Sequence, residues 1–327
     1  MRTIALEEHF VTEALTGYGA STADVAQPHV WAEASRRLLD LTGERLAEMD
    51  TSGVDVAVLS LNSPGLQAET DAATAVRAAT TVNDFLAGVI AEHPDRFGGF
   101  AALPLQDPAA AAKELDRAVT QLGFSGALVN AHTNGVYLDD PSLRTVWERA
   151  AGFDVPLYLH PGNGYDTAHV LSGHPELVGP MWSWGTDTST HALRLVFGGV
   201  FDDFPDAKLL LGHMGEGLPA TLWRLDSRWA FHNHRGIELA RERPSDYLRH
   251  NLYITTSGVC SDAPLLCALL ALGAEHILFA TDYPFESMSV ATTFIETAPV
   301  SEADRAKITH GNAERLLRIP ATPALVS

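Results

Sequence analysis

The chain of 327 residues is 46% hydrophobic and 19% charged, a balance that favours a globular protein with a large buried core over a disordered chain. Its 41 acidic and 22 basic residues give a formal charge of −19, which argues against nucleic acid or an anionic membrane surface as partners. With two cysteines, no apolar run long enough to span a bilayer and no secretory signal pattern, the sequence predicts a cytoplasmic protein without a disulfide framework.

Apolar, strand-like stretches alternate with stretches of helical periodicity along the whole chain. The first strand is predicted at residues 3–6, and it leads into an excursion without a sustained period over residues 10–35. An amphipathic helix is expected at 36–50. The later strands are predicted at 54–61, 97–104, 127–130, 155–160, 208–213, 252–257 and 277–282. A second insertion, rich in Gly, Pro and Trp, follows the fifth strand.

This alternation is typical of an α/β protein with a parallel sheet. It predicts one domain over residues 1–327, a distorted (β/α)8 TIM barrel with a loop insertion after strand 1 and another after strand 5. A doubly wound open sheet would give the same alternation. The barrel is favoured because neither a Gly-x-Gly-x-x-Gly nor a Walker motif follows any predicted strand.

Polar or ionisable side chains stand at the carboxyl ends of six of the predicted strands. They are Glu7 and His9, Asn130, His160, His213, Thr256 and Ser257, and Asp282. One such residue could be the exposed cap of a buried strand. In a (β/α)8 barrel, however, these ends open into a common mouth where catalytic groups lie, so six together predict an active site.

Glu7, His9, His160 and Asp282 predict a metal centre at this mouth. Imidazole and carboxylate ligands together suit one Zn²⁺ or Mn²⁺ ion, whereas an all-oxygen Mg²⁺ or Ca²⁺ site would not recruit two histidines. Four protein ligands leave room for water or a chelating substrate. The alternative is that the four side chains pair through hydrogen bonds without a metal.

A second motif runs from Gly212 to Pro219. His213 ends a strand and Glu216 lies one turn further on, near enough for its carboxylate to orient the imidazole and raise its basicity. The glycines of this motif allow close approach of the backbone to a ligand. Glu216 as an ordinary first-turn acid and His213 as a strand cap remain an equal alternative.

The third motif surrounds Asp282. One of its carboxylate oxygens can hold the metal while the other exchanges a proton. Tyr283 and Phe285 are predicted to wall the substrate, although aromatic residues near proline are more often packing residues. Arg224 could bind an anionic substrate or cover its own helix, and Asn130 is assigned to the substrate from its place at a strand end.

These segments resemble a known group of enzymes. The matching motifs are Leu6-Glu-Glu-His-Phe10, Ala101-Ala-Leu-Pro-Leu-Gln-Asp-Pro108, Gly126-Ala-Leu-Val-Asn130, Tyr158-Leu-His-Pro161, Leu211-Gly-His-Met-Gly-Glu-Gly-Leu-Pro219, Ile254-Thr-Thr-Ser-Gly258, Thr281-Asp-Tyr-Pro-Phe-Glu286 and Gly311-Asn-Ala313. In order and over nearly the whole chain, they are similar to the amidohydrolase-superfamily decarboxylases. The Glu-x-His opening, in place of His-x-His, favours the branch of γ-resorcylate and 2,3-dihydroxybenzoate decarboxylases.

The resemblance implies a metal-dependent, non-oxidative decarboxylase of a hydroxybenzoate-type aromatic acid. It places the metal on Glu7, His9, His160 and Asp282, with Asp282, His213 and Glu216 as catalytic residues. It also implies a small aromatic carboxylate as the substrate and a reaction that needs no organic cofactor. The resemblance further implies a homodimer or homotetramer in which Arg224 reaches the active site of a neighbouring subunit.

Three features that are expected to face the substrate depart from the pattern of this family, so the identity of the substrate stays open. They are the excursion at residues 10–35, the glycine-rich Pro161-Gly-Asn-Gly164, and Trp229 where relatives carry Asn. The main alternative function is a metal-dependent hydrolase of a small amide, lactone or ester, in which Asp282 accepts a proton from water. A barrel that has lost its activity and serves for binding is the third.

Overall fold

The computed structural model describes residues 1–19, 26–166, 168–234 and 236–321, and its strands are short, parallel and buried. They are β1 (Ile4–Phe10), β2 (Val56–Leu61), β3 (Phe97–Gly99), β4 (Ala101–Ala102), β5 (Ala127–Asn130), β6 (Pro156–His160), β7 (Lys208–Leu211), β8 (Leu252–Thr255) and β9 (Ile277–Leu278). They form a three-stranded sheet, β1 to β3, and a six-stranded sheet, β4 to β9, and in both the neighbouring strands follow chain order.

Two links join these sheets into a closed barrel. Leu6 and Ala280 form a parallel bridge, and the Leu6 amide donates to the Phe279 carbonyl at 3.1 Å, so the last strand lies beside the first. Strands β3 and β4 are one barrel strand interrupted at Phe100, whose amide still donates to the Leu59 carbonyl at 2.9 Å. The predicted (β/α)8 barrel is therefore confirmed, with eight barrel strands.

Helices cover the outside of the barrel. They are α1 (Pro28–Leu39), α2 (Glu44–Ser52), α3 (Ala72–Glu92), α4 (Pro108–Thr120), α5 (Arg144–Phe153), α6 (Ser183–Phe197), α7 (Val200–Asp203), α8 (Leu222–Phe231), α9 (Pro244–Asn251), α10 (Asp262–Leu272), α11 (Met288–Thr297), α12 (Glu302–Ala306) and α13 (Asn312–Leu317). A π-helical turn, Lys307–Gly311, joins the last two. Within the described ranges, none of these helices is long and apolar enough to cross a membrane.

The excursion after β1 contains more helix than its composition predicts. A 3₁₀ helix covers Glu13–Gly19 and α1 already begins at Pro28, while residues 20–25 lie outside the described part. The single helix expected at 36–50 is wrong, because the chain breaks at Gly43. The Asp40 carboxylate accepts hydrogen bonds from the amides of Gly43 and Glu44 at 2.7 and 2.8 Å, which starts a new helix there.

Strand residues alternate between two apolar layers. The layer inside the barrel consists of Ile4, Leu6, Val56, Val58, Phe100, Leu128, Tyr158, Leu210, Tyr253, Leu278 and Ala280, and side chains of α13 close its lower end. The other layer lies between the strands and the helices and includes Ala5, Phe10, Ala57, Leu59 and Leu61. Because both layers are apolar, a polar site can form only at the carboxyl ends of the strands.

A bulge in β1 changes which side chains enter the barrel. Ile4 and Ala5 pair with Val56 and Ala57, but the next aligned pair is Glu8 with Leu59, so β1 contains one extra residue. Glu7 at this point has a φ of 61°, a left-handed conformation that is uncommon for a residue with a side chain. Since Leu6 points inwards, an unbroken strand would point Glu8 inwards as well, and the bulge brings Glu7 there instead.

Candidate metal centre and active site

The structure brings the four predicted metal ligands together. One ligand atom each from Glu7, His9, His160 and Asp282 lies within 4.8 Å of every other. Glu7 and His9 come from β1, His160 ends β6, and Asp282 follows β9 at the adjoining side of the barrel. Glu7 and His9 are fully buried and His160 is 5% exposed, so the cluster lies at the floor of the barrel mouth.

Glu7 is oriented from below by side chains inside the barrel. Its Oε2 accepts hydrogen bonds from the Tyr158 hydroxyl and, at 3.2 Å, from the Thr255 hydroxyl. Its Oε1 faces His160 Nε2 at 3.5 Å. Burial raises the pKa of this carboxyl, an effect opposed mainly by the neighbouring His213. One oxygen of Glu7 is thus held in place while the other points into the cluster.

Both histidines present Nε2 to the cluster. His160 donates from Nδ1 to the Pro161 carbonyl at 2.8 Å, which leaves the lone pair of Nε2 free. His9 Nδ1 hydrogen-bonds with the Ser60 hydroxyl at 3.3 Å. Burial and the adjacent His9 hold the pKa of His160 well below its usual range, so its imidazole is neutral. Neutral imidazoles oriented in this way are typical metal ligands.

The donor set fits a divalent ion. Glu7 Oε1 and His9 Nε2 are buried, and neither has a hydrogen-bond partner among the described residues. Leaving two buried polar atoms unpaired costs free energy unless another group binds them. Two imidazole nitrogens and two carboxylates provide the mixed ligands that Zn²⁺ and Mn²⁺ accept.

Asp282 connects this cluster to the His213 motif. Its Oδ1 lies 3.3 Å from His9 Nε2, while its Oδ2 lies 3.5 Å from His213 Nε2. Burial alone would raise the pKa of Asp282, but the adjacent imidazoles of His213 and His9 hold it below its usual range. The resting carboxylate is therefore ionised, with one oxygen directed at the cluster and the other at a histidine.

His213 is held by Glu216, whose Oε1 lies 2.9 Å from His213 Nδ1. Burial would lower the pKa of His213, but the charge of Glu7 and hydrogen bonds with Asp282 and Glu216 raise it well above its usual range. The predicted contact between the two residues thus forms. The backbone amide of His213 also donates to the Ser257 hydroxyl at 3.0 Å, which fixes the strand end.

Unusual backbone conformations concentrate at these residues. Of the nine non-glycine residues with positive φ in the described ranges, four are predicted site residues, namely Glu7, His213, Glu216 and Asp282. Such conformations persist only where the surrounding contacts enforce them, and they cluster at functional sites. The backbone conformations thus indicate the same functional site as the side-chain cluster does.

A cavity of about 640 Å³ opens above the cluster. His160, His213, Glu216 and Asp282 form its polar side. Its other walls include Asn62, Ser63, Pro161, Met181, Trp182, Trp184, Val259, Phe285 and Glu286. No Lys or Arg is among the described residues that line it. The shape and mostly apolar walls suit a small organic molecule with an aromatic ring.

The residues predicted to bind substrate divide into two groups. Phe285 lines the cavity. Tyr283 does not, because the chain turns at Asp282 and Tyr283 is buried beneath the guanidinium groups of Arg37 and Arg45. Asn130 is buried beside Gln67, away from the lining, and Arg224 is exposed on α8 of its own chain.

Two of the unusual features in the sequence also lie away from the cavity. Trp229 stacks on His234 with ring centroids 3.8 Å apart, and no described residue of the 10–35 excursion contributes to the lining. Of the glycine-rich Pro161–Gly164 segment, Pro161 does line the cavity. The expectation that all three features face the substrate is not matched by the geometry of one chain.

Sequence reasoning missed several lining residues. Asn62 and Ser63 follow β2 directly, so the same rule of strand ends would have found them. Glu286 lies in the third motif, but its sequence context alone does not predict a role for its carboxylate. Trp184 comes from the insertion after β6, and its indole donates to Asn163 at 2.7 Å. No sequence pattern predicts that contact, because it depends on how the insertion folds back.

Gly212 gives the backbone its close approach to Glu7. Its φ of −73° is open to any residue, but a Cβ there would lie 2.7 Å from both carboxylate oxygens of Glu7. We therefore expect Gly212→Ala to displace Glu7 and to weaken Mn²⁺ binding at least about tenfold. Titration of metal-free protein with Mn²⁺ measures this. Gly98→Ala is the control, because its Cβ would meet Val58 at an ordinary 3.6 Å, and equal affinity of both variants would contradict the prediction.

Comparisons with known proteins identify the family of this chain. The amidohydrolase family model matches residues 24–319. The chain belongs to the amidohydrolase family. Within it, γ-resorcylate decarboxylase of Polaromonas sp. strain JS666 is 44% identical over 323 residues, which cover 97% of this chain and 98% of that relative.

Two solved structures of this amidohydrolase group are similar over their whole length. One is 2,6-dihydroxybenzoate decarboxylase in complex with 2,6-dihydroxybenzoate, with 43% identity, a TM-score of 0.92 and coverage of 98% of this chain and 100% of that one. The other is dihydroxybenzoic acid decarboxylase from Polaromonas sp. JS666 with bound manganese and the inhibitor 2-nitroresorcinol. It has 43% identity, a TM-score of 0.92 and coverage of 100% of this chain and 99% of that one.

Proposed function

We propose that this amidohydrolase-family protein is a metal-dependent, non-oxidative decarboxylase of a hydroxybenzoate-type aromatic acid. The observation that carries the proposal is the position of Asp282, with Oδ1 at the metal cluster and Oδ2 beside His213. This arrangement lets a single carboxylate both hold a substrate-binding ion and deliver a proton. Relatives named γ-resorcylate decarboxylase, at 44% identity, support the same activity.

One divalent ion, Zn²⁺ or Mn²⁺, would be held by Glu7, His9, His160 and Asp282. When bound, it would supply a Lewis acid for the phenolate and carboxylate oxygens of the substrate. Manganese in the Polaromonas structure favours Mn²⁺ as the first ion to test. The proposed reaction requires no organic cofactor, since proton transfer and loss of CO₂ need no redox partner.

The protein side chains would perform the proton transfer. His213, steadied by Glu216, passes a proton to Oδ2 of Asp282 across the 3.5 Å separation. Asp282 then protonates the ring carbon that bears the carboxylate. The bond from this carbon to the carboxylate breaks, CO₂ leaves, and the electron pair of that bond restores the aromatic ring. The net reaction consumes one proton and releases one CO₂ and one phenol.

The charge of the substrate supports a homodimer or homotetramer. Among the described lining residues there is no Lys or Arg that could pair with the negative charge of the substrate. Arg224 lies on α8 together with Trp223 and Phe231, whose side chains are 77% and 81% exposed. A second copy that covers these aromatic side chains would enclose Arg224, so we propose that Arg224 serves a neighbouring chain. The free cysteines Cys260 and Cys267 are consistent with the proposed cytoplasmic location.

Carbon dioxide release from a substrate panel tests the function. We expect the Mn²⁺-loaded protein to convert 2,6- or 2,3-dihydroxybenzoate to the corresponding phenol with one CO₂ per turnover, and to leave 4-hydroxybenzoate, which lacks an ortho hydroxyl, unchanged. In D₂O, deuterium should appear at the carbon that lost the carboxylate. Hydrolysis of esters, lactones or amides without CO₂ release would instead establish the alternative metal-dependent hydrolase.

A further inference from the structure

We propose that Glu8, Arg45 and Thr281 form a clamp that holds His9 and Asp282 at the spacing the metal centre needs. The three residues contact the backbone next to the two ligands and do not line the cavity. They would therefore act as positioning residues for metal binding. The inference rests on the proposed metal centre but not on the identity of the substrate.

Glu8 forms the first half of the clamp. The bulge in β1 turns its side chain out of the barrel interior, yet it is fully buried. Its two carboxylate oxygens accept hydrogen bonds from the amide and the hydroxyl of Thr281, at 3.0 and 2.7 Å. Thr281 directly precedes Asp282. A bidentate contact thus joins the residue between Glu7 and His9 to the residue before the fourth ligand.

Arg45 forms the second half. It is fully buried on α2, and its Nη2 donates to the backbone carbonyl of His9. Its guanidinium also lies over the ring of Tyr283, 4.5 Å from the centroid. Tyr283 directly follows Asp282, and its carbonyl accepts a hydrogen bond from the His9 amide at 2.8 Å. Arg45 therefore contacts the chain at His9 and just after Asp282.

The clamp joins two barrel strands that share few backbone hydrogen bonds. Regular pairing between β9 and β1 is limited to the single bridge from Leu6 to Ala280, yet His9 and Asp282 both lie beyond that bridge. Beyond the bridge, the backbones of the two segments are joined by the hydrogen bond from the His9 amide to the Tyr283 carbonyl, and the side chains of Glu8, Arg45 and Thr281 add further contacts that fix the separation of the two ligands. Outer groups that orient metal ligands commonly account for a factor of about 10 to 100 in metal affinity.

Arg305 provides a matched control for Arg45. It is also buried, with 8% exposure, and it too donates to backbone carbonyls, those of Ile295, Ala298 and Val300. It lies on α12, its acceptors lie at the end of α11 and in the turn that follows, and it contacts none of the four proposed ligands. Arg305→Met therefore reports the cost of removing a buried arginine from the fold, without a change beside the metal centre.

The test is Mn²⁺ titration of metal-free Arg45→Met, Thr281→Val and Arg305→Met, without substrate, alongside the free energy of unfolding of each variant. We expect Arg45→Met and Thr281→Val to raise the Kd for Mn²⁺ about 10- to 100-fold. Arg305→Met should be destabilised and still bind with a Kd within about twofold of the wild type. Thr281→Ser, which keeps the hydroxyl, should restore most of the affinity, since a purely packing role would not depend on this group.

The other outcomes distinguish failure of the clamp from failure of the proposed reaction. Wild-type affinity in Thr281→Val and in any folded Arg45→Met would show that the contacts do not position the ligands. Equal weakening in Arg305→Met would show that general destabilisation is responsible. If Arg45→Met does not fold, the comparison of Thr281→Val with Thr281→Ser decides alone. Failure of CO₂ release with the expected Kd ratios would reject only the proposed reaction, whereas a wild-type protein that binds no Mn²⁺ would reject the metal centre and the clamp together.

Discussion

Asp282→Asn is expected to lower kcat for hydroxybenzoate decarboxylation by a factor on the order of 10³. The variant should still bind Mn²⁺. Asparagine keeps a carbonyl oxygen that can face His9, but its amide cannot take the proton from His213 and pass it to the ring carbon. Steady-state measurement of CO₂ release, together with metal analysis of the same samples, checks both parts of the prediction.

Asp226→Asn is the control for this substitution. Asp226 accepts hydrogen bonds from the amide and hydroxyl of Ser245, at 3.0 and 2.6 Å, and it does not line the cavity. It should therefore retain the wild-type kcat. If Asp282→Asn kept a tenth or more of the wild-type kcat with a full complement of metal, Asp282 would not be the proton donor, and His213 would have to reach the substrate directly.

His160→Ala should remove the metal. The substitution leaves three of the four proposed ligands and opens the cluster to the cavity. We therefore expect Mn²⁺ affinity to fall at least about 100-fold, which is more than the usual loss when a group that only orients a ligand is removed. Decarboxylation should fall with the metal content. Elemental analysis after dialysis gives the stoichiometry, and treatment of the wild type with a chelator, followed by Mn²⁺, should abolish and then restore CO₂ release.

His276→Ala separates metal binding from a structural role of histidine. His276 Nδ1 donates to the Leu252 carbonyl at 2.7 Å, much as His160 Nδ1 donates to the Pro161 carbonyl at 2.8 Å, but His276 is not near the cluster. The His276→Ala variant should keep its metal although it loses a comparable hydrogen bond to the backbone. A His160→Ala protein with full metal content would refute the proposed ligand set.

The polar residues at the strand ends are predictable from the sequence, because a barrel leaves only one place for polar side chains that follow apolar strands. This rule predicts His160, His213 and Asp282. It also predicts Glu7 and His9, but on the assumption that they leave the end of a straight strand at residue 6. In the structure β1 continues to Phe10, and it is the bulge that places both side chains inside. The bulge depends on pairing with β2, which one strand's sequence does not encode.

The walls of the cavity were less predictable than its floor. Tyr283 and Phe285 stand two residues apart in one motif, yet the first is buried under Arg37 and Arg45 and the second lines the cavity. Their different positions follow from the turn at Asp282, where φ is 67°. Trp184 reaches the cavity from an insertion whose path is set by tertiary contacts. Local periodicity carries no information about either arrangement.

The extra residue in β1 sets a condition for anyone who would engineer this chemistry into another barrel. Copying Glu7 and His9 onto a straight scaffold strand would aim the neighbouring Glu8 inwards and turn the intended carboxylate and imidazole towards the surrounding helices. A successful graft must carry the insertion, its left-handed Glu7 and the buried threonine and arginine that secure it. The transferable unit is thus a deformed backbone rather than a set of side chains.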